Sequence, residues 1–560
     1  MAPPQLDSNL ALFLLFVASC FIIVRRLWLS CNHGGQGRHL PPSPPGLPII
    51  GNIHQLGRGR HHRKLQALAR QHGDVFLLWL GSVPALVVSS ASMAEEVLKN
   101  QDHVFCGRPQ QHTARGILYD CRDVGFSPYG ERWRQLRRIA VVHLLSIKWV
   151  DSLRVLRKEE ISSLMARIRM AGASENERDK LRAINTTELI VSLTYSVFSK
   201  AAFGNKLGGM NPGSLRAIMK DVFDLLETVA VSDMFPQLGW VDWAMGLNAR
   251  IKRTASKLDS VLERALQEHE KKPEDGDEAA DLLDDLLSVV KEGGEGFNLD
   301  RIDVKGLILD NGKKVTFANP LVQILGLSTK EHRIRDMLAT APGWDHFPSP
   351  ADTATAAQDH FIGGIDTTSK AIEWAMAYLI KNPREMAKVQ AEVRQIAGAR
   401  GVLEEQLVRM SRVQAALKEA MRLHPPVPLL LPRETIQDTK LHGYDIPAKT
   451  RVIINAWVIG RDKESWENAE QFLPERFMHN ATDYNGRDFR FIPFSAGRRG
   501  CPGIVFATRL AELALANLMY HFDWELPEGQ DLESFQVVES TGIAPALNSA
   551  LILVAKPLEA

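Results

Sequence analysis

Cysteine is scarce: Cys20, Cys31, Cys106, Cys121 and Cys501 are the only five in 560 residues. No two form a C-x-x-C pair, so neither a zinc knuckle nor a disulfide framework is indicated. The low count fits a reducing compartment. Charge imbalance is missing too. Lys and Arg number 67 against 66 Asp and Glu, a formal net of +1, which gives no electrostatic case for nucleic acid as a partner. There is no internal repeat. Hydrophobic residues make up 45% and charged residues 24%, a balance that excludes bulk disorder and permits a large core.

One apolar run stands out at the N-terminus. Residues 10–24, LALFLLFVASCFIIV, are followed by Arg25 and Arg26 and then by LWL, ending at Leu29. This is near the lower limit for a bilayer span of about 20 residues. A cleaved signal peptide would want a positive charge before the run, yet Asp7 is the only charged side chain there and the arginines come after. Residues 1–30 therefore read as a membrane anchor, with a cleaved signal and a buried helix as competing readings. The positive-inside rule leaves the bulk of the chain in the cytosol.

Residues 31–52, CNHGGQGRHLPPSPPGLPIIGN, are flexible and then stiff, and read as a stalk. Residues 53–560 read as one large domain, mainly α with a small β part. VFLLWLG (75–81) and ALVVSS (85–90) resemble two paired strands. RVIINAWVI, DWEL and LILVAKP read as strands nearer the C-terminus. GERWRQLRRIAVVHLL is a basic amphipathic helix and EAADLLDDLLSVVKE an acidic one.

The densest chemical signal is FSAGRRGCPG, residues 494–503. It reads as a glycine-bearing loop entering a helix, with Cys501 at the helix start and Pro502 near its first position. The helix dipole, with Arg498 and Arg499 nearby, favours the thiolate. Such a sulfur could be a nucleophile, a metal ligand or a buried structural cysteine. Phe494, Gly497, Arg499, Cys501 and Gly503 fit the F-x-x-G-x-R-x-C-x-G signature. Five fixed positions recur by chance on the order of once in ten thousand chains of this length. The chain thus resembles the cytochrome P-450 superfamily, and its anchor, PPGLPIIGN and FLPERF resemble the plant endoplasmic-reticulum branch.

That resemblance implies a large helical domain with a small β-rich region, and haem b held by Cys501 as the axial thiolate. Phe494 would pack near the sulfur, and Arg499, Trp133, Arg137 and Arg433 would serve the haem propionates. Glu419, Arg422 and Arg476 would form a structural core cluster; read alone, Glu419 and Arg422 are an ordinary i,i+3 pair. Gly363, Gly364, Asp366, Thr367 and Thr368 match the A/G-G-x-D/E-T-T/S segment of the helix over the distal haem face. There the glycines would admit haem and dioxygen, and Asp366 and Thr367 would deliver protons. By position, the pocket walls would be residues 107–131, 361–365, 427–431 and 542–546. They are mostly apolar and fit a small hydrophobic substrate. Arg132, Arg134 and Arg138 read either as a solvated helix face or as a docking surface for an acidic electron donor.

The implied activity is a haem-dependent monooxygenase of the endoplasmic-reticulum membrane. It would use O2 and an NADPH-dependent reductase, with no nucleic acid. A redox-neutral lyase, isomerase or dehydratase on the same fold is the alternative. One departure stands out: residues 311–359 separate VKGLILD (304–310) from HFIGGIDTTS. Without those residues, VKGLILDHFIGGIDTTSKAIEWAMAYLI is a single helical pattern. The segment carries Pro320, Pro342, Pro348 and Pro350 and no sustained period. It reads as non-family sequence, of the kind a retained intron adds, with a functional insertion as the alternative. An inactive haem-binding chain is possible if it breaks the distal helix. SPAD (349–352) is a fair helix start, so the catalytic half is expected to restart between Ser349 and His360.

Overall fold

Residues 75–88 are apolar almost without interruption because both faces of the strands they form are covered. In the computed structural model, β1 (Val75–Leu80) and β2 (Val83–Val88) pair antiparallel with Leu77 opposite Leu86. The two-residue period of a strand sends Phe76, Leu78 and Leu80 to one face, with Leu65. Val75, Leu86 and Val88 go to the other, with Val97, Phe105 and Ile492. The structure describes residues 38–57, 59–121, 123–141, 145–173, 181–203, 212–270, 350–478 and 480–558.

Seven further strands and the helices complete the fold. The other strands are β3 (Ala183–Asn185), β4 (Arg433–Glu434), β5 (Thr439–Leu441), β6 (Tyr444–Ile446), β7 (Arg451–Ile454), β8 (Phe522–Glu525) and β9 (Ile552–Pro557). They arrange as β1-β2-β7-β4, β3-β9-β8 and the hairpin β5-β6. The main helices are α1 (His61–His72), α2 (Glu131–Ile139), α3 (Arg154–Gly172), α4 (Thr186–Phe203), α5 (Pro212–Leu226) and α6 (Leu247–Glu270). Four more follow: α7 (Pro350–Lys381), α8 (Pro383–Ala397), α9 (Ser411–Leu423) and α10 (Ile504–His521). Helix α7 runs through the middle of the helical layer and packs on α4, α9, α10 and α2. The mainly helical expectation holds.

Several local expectations change. The proline-rich segment is not a free stalk from Arg38 onward. The Leu77 amide donates to Pro42 O (2.8 Å) and the Asp445 amide to His39 O (2.7 Å). Buried Asn52 joins Pro44 O to the Trp79 amide. Stiff prolines leave carbonyls that an adjacent sheet edge can use. RVIINAWVI is half strand: after β7, Asn455 caps a short helix, Ala456–Ile459, by accepting from the Val458 amide. Helix α7 begins at Pro350, inside the window expected for a restart, and spans about 48 Å at 1.5 Å per residue. The anchor, the acidic helix and residues 311–349 lie outside the described residues. Among those described, no helix is long and apolar enough to cross a membrane.

Buried charge ties the helical and meandering parts together. Glu419 on α9 takes Arg422 Nε and Nη2 at 2.7 and 2.8 Å and Arg476 Nε at 3.0 Å. Arg422 also donates to the Gly460, Ala469 and Gln471 carbonyls. With Glu419 and Arg422 fully buried, loss of one partner costs about 3–5 kcal/mol. This is far more than the exposed i,i+3 pair would contribute.

Helix α10 carries a titrating group. Burial pushes the Glu512 carboxyl up to about 7, against Lys418 and Arg509, which lower it, and with Asp483, which raises it further. A carboxyl whose folded value lies above its unfolded one contributes stability only while protonated. That contribution is complete below about 4.5 and is lost as pH rises through about 7. Glu512→Gln is expected to leave the thermal midpoint at pH 5 nearly unchanged and to raise it at pH 8. Equal midpoint shifts at both pH values would contradict this.

Candidate active site

The FSAGRRGCPG loop is shaped by two left-handed residues, Ser495 (φ 61°) and Gly497 (φ 67°). A Cβ on Gly497 would lie 2.1 Å from Leu98 O, so only glycine fits. The Cys501 amide donates to Phe494 O at 2.9 Å, closing the loop, and the Phe494 ring stands edge-on to Tyr484. Helix α10 begins at Ile504 with Gly503 as its N-cap. Pro502 therefore precedes the helix rather than occupying its first position. Burial pushes the Cys501 thiol up, and the Gly503 amide and Arg137 only partly pull it back. Arg498 and Arg499 do not supply the expected help, because each is bonded elsewhere.

Arg499 is buried and donates to three backbone carbonyls: Cys106 (2.8 Å), Val124 (3.3 Å) and Ser127 (2.7 Å). Its guanidinium carbon lies 4.1 Å from the centre of the Trp133 ring, and burial brings its pKa down to about 9. The Trp133 indole N–H goes to Val124 O at 2.9 Å. Arg433 donates to Asp102 Oδ1 (2.9 Å), Ala496 O (2.8 Å) and, at 3.4 Å, Ser495 Oγ. Arg137 differs from both: it is half-buried, burial lowers its pKa, and no carboxylate pairs with it among the described residues. Three arginines expected together thus divide into two that knit the loop and one whose charge is uncommitted.

On α7 the two glycines also separate in role. A Cβ on Gly364 would lie 2.1 Å from the Phe198 ring of α4, whereas one on Gly363 would meet nothing within 4 Å. Gly364 makes room for a protein side chain, and Gly363 is the glycine that opens space. The Thr367 hydroxyl donates to Gly363 O at 2.7 Å; Thr368 turns inward and is buried. Asp366 is half-buried and pairs with Lys370 one turn on.

Two residues that carry this site escaped sequence reasoning. Asp102 is buried and accepts, besides Arg433, the Arg498 amide at 2.8 Å and its guanidinium at 3.2 Å. Arg108, also buried, bonds to Gly125, Leu431 and Pro432 carbonyls, joining two expected pocket walls. Both come from NQDHVFCGRP, a stretch in which neither charge belongs to a recognisable motif or spacing. Asp102→Asn keeps the shape and leaves Arg433 buried without its anion, a change worth about 3–5 kcal/mol. The expected result is a lower thermal midpoint with faster hydrogen exchange at the Arg498 amide; wild-type values for both would contradict the role.

Comparison with known proteins bears on the same residues. The family model described as Cytochrome P450 matches residues 41–327 and 343–546, with its break inside the 311–359 segment. The chain is 42% identical over 513 residues to Cytochrome P450 71A1 of Persea americana, covering 90% of this chain and 91% of that one. It is 38% identical over 564 residues to phenylacetaldehyde oxime monooxygenase of Prunus mume, covering 99% and 97%. With a 3-beta-hydroxylase of Tanacetum parthenium it shares 39% over 549 residues, covering 97% and 98%. A zebrafish cytochrome P450 crystallised with abiraterone superposes with a TM-score of 0.65 at 22% identity, over 89% of this chain and all of that one; at that identity it speaks for the fold. The family's cofactor is haem with a cysteine thiolate ligand, and this chain belongs to the cytochrome P450 family as a monooxygenase.

Proposed function

We propose that the protein inserts one oxygen atom from O2 into a small hydrophobic molecule of plant specialised metabolism, with Cys501 as the haem ligand. The observation that carries the assignment is a sulfur on a rigid loop closed by the Cys501–Phe494 backbone bond, beside the Arg137 guanidinium, which no carboxylate pairs among the described residues. A bound metal cation deprotonates such a thiol outright, and a haem propionate suits the uncommitted fork of Arg137. When bound, haem supplies the reduction of dioxygen and the transfer of one oxygen atom to substrate. Arg499 and Arg433 hold the ligand loop from behind, and Trp133 fixes Arg499 in turn. An arginine carries five N–H groups, so each retains donors that could also reach a propionate.

The Thr367 Oγ is the hydroxyl through which a proton would pass, with Asp366 as the carboxylate behind it. This is general-acid work through a hydroxyl. An intact Asp366–Thr367 pair argues against the redox-neutral alternative, which has no need of it. Relatives named for oxidising an aldoxime and for hydroxylation support the substrate class, and the apolar walls would keep bulk water away.

The reading includes an endoplasmic-reticulum anchor at residues 1–30 and electrons from an NADPH-dependent reductase. Trp240, Trp243 and Met245 are 65–75% exposed, as are Leu47 and Ile49 to a lesser degree. Both segments adjoin the β1–β2 turn, where Gly81 bonds to Ile50 O and Ser82 to Met234 O. An apolar surface of this kind supports membrane contact. The exposed arginines of α2, Arg134 and Arg138, would meet the reductase.

Expression with and without residues 311–359 tests the whole reading. A reduced-CO spectrum of thiolate-ligated haem is expected from the chain, stronger without the segment, and lost in Cys501→Ser. Absence of that spectrum from both forms would overturn the assignment. For Thr367→Ala, a fall of about tenfold or more in product formed per NADPH is expected, given the usual worth of a positioned acid. Full coupling in that variant would remove Thr367 from proton delivery.

A further inference from the structure

We propose that Lys370 is a positioning residue for the oxygenase reaction: its ammonium ties the proton-delivering Asp366 to the C-terminal pocket wall, residues 542–546. The inference rests on the monooxygenase reading. Lys370 Nζ donates both to Asp366 Oδ2 and to Ala544 O, and its side chain is only 12% exposed. One cation thus holds a helix carboxylate and a loop carbonyl at the same time.

The loop follows this face of α7 for one further turn. The Trp374 indole donates to Pro545 O at 3.3 Å. Buried Glu373 accepts from the Leu547 amide and the Thr187 hydroxyl, and Thr187 accepts from the Leu551 amide at 2.9 Å. From the other side, Glu227 accepts the Ile543 amide at 3.2 Å, and Gly542 (φ 125°) has no room for a Cβ beside that carboxylate. Ser540 and Ala546 close the loop by a 2.8 Å backbone bond.

Asp366, Glu227 and Glu373 all face Lys370. Burial pushes the Glu227 and Glu373 carboxyls up and Lys370 pulls both back, so one cation serves three acids. Trp374 and Glu373 can hold the loop without it. Among the described residues, Lys370 is what links the loop to Asp366, and Asp366 adjoins Thr367. The position of the wall is therefore communicated to the proton path through one ammonium, four residues from the acid on the same helix face.

The test uses the full chain carrying Lys370→Met and Lys370→Arg, reconstituted with reductase and no added substrate. Two readings are taken: hydrogen exchange at residues 543–547, and hydrogen peroxide released per NADPH oxidised. Loss of two charge-assisted bonds in Lys370→Met is expected to speed exchange about tenfold. A misplaced proton donor is expected to raise the peroxide share severalfold, with the reduced-CO band intact. Lys370→Arg is expected to restore both. Faster exchange with a wild-type peroxide share would make Lys370 a loop pin only and overturn the proposal. Wild-type exchange in Lys370→Met would overturn it as well. If the wild-type chain itself lacks the reduced-CO band, the monooxygenase reading fails and takes the proposal with it, an outcome distinct from the other two.

Discussion

Burial raises the energy of a charged sulfur at Cys501 more than the Gly503 amide and the Arg137 guanidinium lower it. The local architecture answers to that imbalance. A buried sulfur whose surroundings disfavour its charge is held in place by backbone rather than by ion pairing. Hence the tight loop, the Cys501–Phe494 bond and the glycine at 497 that no side chain can replace. The cations nearest in sequence, Arg498 and Arg499, stabilise the loop and not the sulfur. Their hydrogen bonds run to Asp102 and to backbone carbonyls.

Buried anions recur as joints between distant segments. Glu419 joins α9 to the 460–476 meander, Asp102 joins the region before α2 to the cysteine loop, and Glu539 joins the C-terminal loop to α1 through His62 (3.0 Å) and Arg63. Each takes several donors from residues far apart in the chain. A buried ion pair adds little net stability over a well-packed apolar contact, but breaking it is costly. Such joints therefore specify arrangement more than they add strength. Near a haem site that distinction matters, because misplacement of a ligand loop by an ångström is chemically expensive.

The cysteine loop, the distal segment and the Glu419 pair were legible because their information is local: fixed spacings within ten residues, or one helix face. What stayed illegible is tertiary. Asp102 and Lys370 look like ordinary surface charges in sequence, since Asp102 meets Arg433, 331 residues on, and Lys370, besides its i,i+4 partner Asp366, reaches Ala544 O, 174 residues on. Gly364 was read as space for a ligand, and only the packing of α4 reveals the Phe198 ring against it. The docking of residues 38–52 likewise depends on β1 and on the β5–β6 hairpin, which no local pattern connects to prolines. Half of RVIINAWVI became helix because Asn455 offers a side-chain cap where the strand ends.

Helix α7 can begin at Pro350, without VKGLILD directly before it, for a related reason. Most helical stability in a folded protein comes from packing of one face rather than from intrinsic propensity. Ile365, Trp374 and Ile380 of this helix are nearly or fully buried. Helix α7 packs on α4, α9 and α10, and these residues lie in the core cluster shared with those helices. They do not need VKGLILD to be present. What the half-helix needs is a beginning, and Pro350 supplies one, with ten residues before His360 in which to establish the turn. Starting this helix and carrying the Gly363–Thr368 motif are separable demands on the sequence, the first met by the start at Pro350 and the second by residues 363–368.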